Sequence, residues 1–155
     1  MVISELPVDR LVVERIIGWQ IEHYRRVFPS FDHADWTEFY RPHILGEPGE
    51  RSTVLAAFRN DQLVGAVSVV ERDDLDDCDH FTPWIAAMIV DPNLRGRGIG
   101  SVLLESALEF CRRALVPRVF LWTHDMSEWY QRIGWTEEET RNFRGVRITI
   151  LSREP

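Results

Sequence analysis

The sequence predicts a mixed α/β domain of the α+β kind, in which helices flank a twisted, mostly antiparallel sheet of six to seven strands. Two pairs of strand-like segments, at 52–71 and 135–152, are each joined by a short turn and predict antiparallel hairpins. Between them, a long apolar run is followed by a glycine-rich turn, an amphipathic helix and another strand. That order predicts a central β-α-β crossover with one parallel pair of strands.

Length and charge limit the classes of protein that fit. The 155 residues fit a single domain, 1–155, that is long enough to bury its own core. The net charge of −7 argues against nucleic acid and anionic lipid as partners and favours cationic ones such as amines. No apolar run approaches the ~20 residues that span a membrane, and the N-terminus is unlike a signal peptide. Because Cys78 and Cys111 fit free thiols, we expect a cytoplasmic protein.

The N-terminal third of the chain predicts one strand and two helices. Val2–Leu6 has the composition of a short strand. Asp9 is a candidate N-cap for a helix whose apolar residues recur at helical spacing. Asp32 can cap a second helix, which Pro42 ends or kinks, and the segment 46–50 predicts a loop.

The rest of the chain predicts the sheet and its crossover. Asn60–Asp61 is a turn pair inside the first hairpin, and the acidic stretch Asp73–Asp79 is a solvated loop. The predicted strands are Ser52–Arg59, Gln62–Glu71, Phe81–Val90, Arg118–Thr123, Trp135–Glu138 and Val146–Ser152. A helix at Gly98–Leu115 and a shorter one, capped by Asp125 and Glu128 and ending at Gly134, complete the pattern.

The segment Arg95–Ser101 carries the clearest chemical signal. It reads Arg-Gly-Arg-Gly-Ile-Gly-Ser and lies between a buried strand and an amphipathic helix. Its glycines let backbone N–H groups approach an anion closely, and the helix start adds unpaired donors and partial positive charge. Arg95 and Arg97 add full charges, so the segment predicts a phosphate site.

Two common phosphate-binding patterns fit this segment poorly. A P-loop requires Gly-Lys before its helix, and the sequence contains no such pair. A dinucleotide-binding Gly-x-Gly-x-x-Gly begins at Gly96 and Gly98, but Ser101 stands where its third glycine belongs. The acidic residue expected after the next strand has no clear counterpart, since Thr123 and His124 stand there and Asp125 is better explained as a helix cap.

A third pattern fits better. The segment Met88–Gly100 resembles the coenzyme A-binding motif of the GNAT superfamily of N-acetyltransferases, [Arg/Gln]-x-x-Gly-x-[Gly/Ala] after a strand. Arg95, Gly98 and Gly100 fill its three fixed positions. The later segment Trp129–Trp135 resembles the aromatic-Tyr-x-x-x-Gly-aromatic signature of the same family. The resemblance extends over roughly 54–151 and implies a GNAT-like sheet in a small single-domain member of the bacterial type.

The resemblance also implies the reaction and its residues. The family transfers an acetyl group from acetyl-CoA to a primary amine by direct attack in a ternary complex. An N–H near Met88 would polarise the acetyl carbonyl, and Tyr130 would act as general acid on the sulfur. The implied cofactor-binding residues are Met88, Ile89, Val90, Arg95, Gly96, Arg97, Gly98, Ile99, Gly100 and Ser101.

The general base is where this sequence departs from the best-known members. Histone-type relatives carry a glutamate on the motif strand at the position of Trp84, and an indole cannot act as a base. Glu71, His80 and His124 are the candidates that the residues leave, each acting directly or through a water molecule. The histidines show no metal-binding spacing on a helix, so no metal is predicted.

The doubtful base motivates an alternative, a non-catalytic acyl-CoA-binding sensor on the same fold. For an enzyme, the acceptor would be a small-molecule or protein amine. The acidic loop Asp73–Asp79 would recruit a cationic acceptor such as a polyamine, an aminoglycoside or a lysine-bearing protein, or it is only a solvated hairpin tip. Small enzymes of this kind often pair through sheet edges or helices, so a homodimer is one candidate oligomeric state.

Overall fold

A computed structural model of the chain describes residues 1–47 and 49–155. The strands are β1 (Val2–Glu5), β2 (Thr53–Arg59), β3 (Gln62–Val70), β4 (Trp84–Val90), β5 (Val119–Thr123), β6 (Thr136–Phe143) and β7 (Val146–Arg153). The helices are α1 (Arg10–Tyr24), α2 (His33–Ile44), α3 (Ile99–Arg113) and α4 (Ser127–Arg132). The loop predicted at 46–50 includes Pro48, which lies outside the described residues.

The strands form one seven-stranded sheet in the order β1-β2-β3-β4-β5-β7-β6. Every neighbouring pair is antiparallel except β4 and β5, which are joined through α3. The predicted mixed fold, with hairpins on both sides of one parallel crossover, is therefore confirmed. The two hairpin turns have positive φ at both central residues, at Asn60–Asp61 and Arg144–Gly145, as the twist of paired strands requires.

Two predicted strand boundaries and one predicted helix cap were wrong. β6 does not stop at Glu138 but pairs with β7 as far as Phe143, through a polar edge segment that lacks the alternation of a half-buried strand. β4 begins at Trp84 rather than Phe81, because Pro83 has no N–H to give to a ladder. The predicted cap at Asp125 is absent; Thr123 Oγ1 instead accepts the N–H of Met126 at 3.0 Å.

Both faces of the sheet are covered, which gives three layers. In β2, Ala56 belongs to a core with α1 and α2, whereas its neighbours Leu55 and Ala57 belong to a core with α3. The two N-terminal helices begin where the sequence predicts. The Asp9 carboxylate accepts the Leu11 N–H at 2.8 Å, and Asp32 caps α2.

Helix α3 lies close to the sheet because β3 carries a glycine at the contact. A Cβ at Gly65 would stand 2.8 Å from the Ile89 carbonyl oxygen and 2.9 Å from Leu103 Cδ1. At the start of the helix Gly100 lies beside the end of β4, where a Cβ would be in ordinary van der Waals contact with Val90 Cγ2 at 3.9 Å. The N-terminus of α3 is therefore held beside the end of β4.

The parallel pair β4 and β5 meets at one point. Trp84 pairs with Phe120, and the Phe120 N–H donates to the Pro83 carbonyl at 3.0 Å. Among the described residues the two strands do not pair beyond this bridge, so the β5-facing edge of β4 is open from Ile85 onward. None of the helices in the described chain is both long and apolar enough to cross a membrane.

Candidate active site

The open edge of β4 borders a cavity of about 490 Å³. The start of α3, the end of β5 and helix α4 contribute further walls, and α1 and α2 close one side. The cavity gathers most of the residues that the sequence singled out: Met88, Ile89, Val90, Arg95, Gly96, Gly98, Ile99, Gly100, Ser101, His124 and Tyr130. Arg97, Glu71 and His80 are not among its lining residues.

The glycine loop forms an anion-binding cradle at the start of α3. Gly96 and Gly98 have φ of +72° and +78°, and a Cβ at either would meet nothing within 4 Å. The backbone conformation, rather than lack of space, therefore requires glycine. The Val102 N–H donates to the Gly98 carbonyl at 3.2 Å, so Ile99, Gly100 and Ser101 carry the N–H groups that have no acceptor within the helix. These donors and the helix dipole suit a phosphate.

The two arginines and the isoleucine of this loop differ in position. Arg95 bends over the end of β4, where its Nε donates to the Val90 carbonyl at 3.4 Å. Arg97 is exposed and lies outside the cavity lining. The side chain of Ile99 is buried in the core beneath α3, so only its backbone N–H faces a ligand.

Tyr130 is held rigidly at another wall of the cavity. Its ring meets Trp129 edge-on at 4.9 Å and Trp135 at 5.7 Å between ring centroids. Burial raises its pKa to about 12, with a smaller contribution from the negative charge of Asp125. The phenol therefore stays protonated at neutral pH, the state that a proton donor requires.

Aromatic residues of α1, α2 and the segment between them line the cavity as well. They are Tyr24, Phe31, Trp36 and Phe39. Tyr24 and Trp36 are stacked with their ring centroids 5.8 Å apart. The sequence predicted that Tyr24, Trp36 and Phe39 lie on helices but assigned them no functional surface, and Phe31 was not placed in either helix.

Asp73 places a carboxylate on the cavity wall, although in the sequence it was only one of several aspartates in the acidic loop. It is half-buried, and its oxygens accept the Trp122 indole N–H at 2.9 Å and the Asp74 N–H at 2.8 Å. Burial outweighs these hydrogen bonds and raises the pKa of Asp73 to about 6. Trp122, which is partly buried against the core, also lines the cavity.

Two histidines stand near the same wall. His124 packs against Tyr24 and Phe28, and its Nε2 lies 3.4 Å from an Asp125 carboxylate oxygen. The pKa of His23 is lowered by burial and, to a smaller extent, by the positive charge of Arg95. Of the histidines that the sequence nominated, His124 is the one that faces this cavity.

The other two candidate bases lie elsewhere. Glu71 lines a second cavity of about 600 Å³, which shares Phe39, Asp73 and Asp74 with the first. His80 is exposed, with its ring 4.0 Å from that of Phe81. Trp84 is 1% exposed and packed against aromatic rings, so it contributes to the core. Within the described part of the chain, no three His, Cys, Asp or Glu residues are grouped to hold a metal ion.

The fold and this site define a class: enzymes that transfer an acetyl group from acetyl-CoA to nitrogen. The chain belongs to the Acetyltransferase (GNAT) family, whose model matches residues 13–135. An uncharacterised N-acetyltransferase of Methanocaldococcus jannaschii is 37% identical over 59 residues, which is 36% of this chain. The match spans only 26% of that relative's length. The predicted family is thereby confirmed.

Solved structures share the whole fold at low sequence identity. An aminoglycoside 6'-N-acetyltransferase complexed with coenzyme A superposes with a TM-score of 0.74 at 12% identity, covering 99% of this chain and 96% of that one. A ribosomal-protein-alanine N-acetyltransferase from Brucella melitensis gives 0.73 at 16% identity, with both chains covered completely (100%). The yncA protein of Salmonella typhimurium, solved with its cofactor acetyl-CoA, gives a TM-score of 0.69 at 17% identity, covering 99% of this chain and 92% of that one.

Proposed function

We propose that this chain transfers the acetyl group of acetyl-CoA to a primary amine by direct attack in a ternary complex. One observation carries the proposal: the glycine cradle, the open edge of β4 and the phenol of Tyr130 line the same cavity. A phosphate-binding end, a strand edge and a proton donor are what an acyl-thioester and its leaving thiol require.

The residues of the cradle fit the phosphates of coenzyme A. The N–H groups of Ile99, Gly100 and Ser101 would donate to the pyrophosphate, and the positive φ of Gly96 and Gly98 keeps that backbone open. Arg95 would add a charged hydrogen bond from the end of β4, and Arg97 would do so from the solvent side. The open edge at Met88, Ile89 and Val90 would pair with the amide groups of the pantetheine arm.

The acetyl end would be activated from two sides. Acetyl-CoA supplies a thioester whose carbonyl carbon accepts the amine. The Met88 N–H would donate to its carbonyl oxygen, where negative charge develops during the attack. The Tyr130 hydroxyl, which its raised pKa keeps protonated before the reaction, would donate a hydrogen bond and then its proton to the sulfur as the C–S bond breaks. The phenolate would regain a proton from the one that the attacking amine releases, so the proton count of the reaction balances.

We propose Asp73 as the group that takes the proton from the amine. Its pKa of about 6 leaves it ionised but basic at neutral pH, and it lines the cavity together with Tyr130. His124, on the same cavity, is the competing base. Glu71 and His80 lie off this cavity, so either would act only through bridging water.

The acceptor that suits this site is a cationic amine. Tyr24 and Trp36 offer aromatic faces that attract a cation, and Asp73 and Asp74 offer charge. The second cavity adds Asp35, Glu38 and Glu71, and its carboxylates outnumber the two arginines that also line it, so a second positive group on the same acceptor would also be attracted. Solved structures of this fold include enzymes named for aminoglycosides and for the alanine of a ribosomal protein. Aminoglycosides and peptides are therefore two panels of acceptor amines to test.

The proposal is tested by measuring thiol release from acetyl-CoA with mono-amines, polyamines, aminoglycosides and peptides, and by product masses. The chain contains no lysine, so acetylation of the enzyme itself is confined to its N-terminus and gives little background. Tyr130→Phe keeps the aromatic packing and should lower kcat about 10²-fold or more, with CoA affinity unchanged. Release no faster than thioester hydrolysis across the panel would refute the proposal.

The sensor alternative rests on Trp84, which occupies the position of the familiar glutamate base. A sensor would bind acetyl-CoA and gain thermal stability without releasing thiol to any amine. Its response would also survive Tyr130→Phe.

We further propose a cytoplasmic location, because the thiols of Cys78 and Cys111 are free and buried. We also propose that the chain forms a homodimer through an edge strand of the sheet, which light scattering tests.

A further inference from the structure

The peptide unit between Ala87 and Met88 is turned out of the ordinary ladder of the sheet. Ala87 has φ of +51°, and the pairing of β3 with β4 shifts register between Ala66 and Ser68. Val67 thus faces two residues of β4, the arrangement of a β-bulge. An alanine with positive φ is strained and persists where its surroundings hold it.

One side chain supplies that hold. Gln20 of α1 is 0% exposed, and its Nε2 donates to the Ala87 carbonyl oxygen at 2.7 Å. Its neighbours on the buried face of α1 are Ile16 and Ile17, and Tyr40 is buried beside it. A buried amide destabilises the fold unless it is hydrogen-bonded; this contact pairs Nε2, whereas Oε1 has no hydrogen-bond partner among the described residues.

The contact fixes the direction of a second group. The Ala87 carbonyl and the Met88 N–H belong to one planar, trans peptide unit, in which they point in opposite directions. Because Gln20 draws the carbonyl toward α1, the Met88 N–H is turned away from α1. Both residues line the cavity, at the edge of β4 that β5 leaves open.

We propose that Gln20 is a positioning residue, which aims the Met88 N–H at the acetyl carbonyl by holding the Ala87 carbonyl. This inference rests on the proposed function, in which that N–H polarises the thioester. Gln20 itself would not touch the substrate. Without it, the bulged peptide unit would lose the bond that selects its orientation, and the donor would rotate away from the oxygen.

The same buried cluster offers a matched control. Tyr40 is fully buried beside Gln20 and Ser68; burial raises its pKa to about 12, and these two side chains oppose the shift. Tyr40→Phe removes one polar group from the cluster while leaving the Gln20 contact with Ala87. Gln20→Met keeps the length of the side chain and removes the donor.

The test is the infrared band of ¹³C=O-labelled acetyl-CoA bound to each variant, together with kcat and CoA affinity. We expect the band to shift to lower frequency in the wild type and in Tyr40→Phe, and to stay near its solution position in Gln20→Met. We expect the kcat of Gln20→Met to fall about 10- to 100-fold at unchanged CoA affinity. This loss is smaller than the about 10²- to 10³-fold loss of kcat that follows removal of an oxyanion-hole donor itself.

Each outcome separates the inference from the proposed function. The role of Gln20 would be overturned if Gln20→Met still showed the shifted band and had a kcat within about twofold of that of Tyr40→Phe. The proposed function would then remain intact. An unshifted band in a wild-type enzyme that turns over would remove Met88 as the donor and the inference with it. If Gln20→Met does not fold, Gln20→Glu replaces it. Its carboxyl donates only when protonated, so a band shift at both acid and alkaline pH would refute the inference.

Discussion

Replacing Asp73 by asparagine should make the protein more stable and the enzyme slower. Burial raises the pKa of this carboxyl from an ordinary 3.8 to about 6, so its ionised form is destabilised in the folded state at neutral pH. Asparagine carries no charge, and its oxygen can still accept one of the two hydrogen bonds, from Trp122 or Asp74. Removing the proposed base should lower kcat about 10²-fold or more.

The size of the stability gain depends on pH. A pKa difference of about 2 corresponds to about 3 kcal/mol. Because asparagine loses one of the two hydrogen bonds, worth about 0.5–1.5 kcal/mol, we expect a net gain of about 1–3 kcal/mol at pH 8. The folded pKa lies above the unfolded one, so the gain is complete above pH ~6, shrinks as the pH falls, and vanishes below ~4, where Asp73 is protonated in both states.

The assay is thermal unfolding of the two proteins between pH 4 and 8, where each kcal/mol is worth about 2–4 °C in Tm. Asp79→Asn is the matched control, since it removes the same charge from the same loop at a side chain that is 82% exposed. It should change stability by no more than about 0.5 kcal/mol. Equal unfolding temperatures for wild type and Asp73→Asn at pH 8 would refute the reasoning about burial.

Two glycine substitutions test the cradle and the helix that carries it. Gly98→Ala must hold φ of +78°, which costs about 1–2 kcal/mol of stability, and it should weaken CoA binding about tenfold, as isothermal titration would show. Gly145→Ala is the control: at φ of +83° in the turn between β6 and β7, it should cost similar stability and leave CoA affinity unchanged. Gly65→Ala would put a Cβ 2.8 Å from the Ile89 oxygen and should cost about 1–3 kcal/mol in denaturant unfolding; an unchanged midpoint would contradict the close packing of α3.

The part of the site that the sequence could predict is local. Residues 95–101 follow one another along the chain, so their glycines, charges and position before a helix are visible together. Hairpin turns are local in the same sense, and Asn60–Asp61 stands where predicted. The resemblance to the family also rested on two short segments, each with its fixed residues close together.

The rest depends on contacts between distant segments. Asp73 was one of several aspartates in a loop, and its burial follows from Trp122, 49 positions away. Gln20 lies within an apolar helical pattern, and neither its burial nor a distant partner was predicted from the sequence. That partner, the Ala87 carbonyl, is 67 residues further along the chain.

The single bridge between Trp84 and Phe120 divides the sheet into two halves, β1–β4 and β5–β7. A ligand whose amide groups form hydrogen bonds with both β4 and β5 would replace the strand-to-strand hydrogen bonds that are missing there and would connect the two halves of the sheet. Cooperativity of unfolding should then be a property of the complex more than of the free chain. Hydrogen exchange would register this as slower amides in β5 and β7, in strands that the phosphate cradle does not contact.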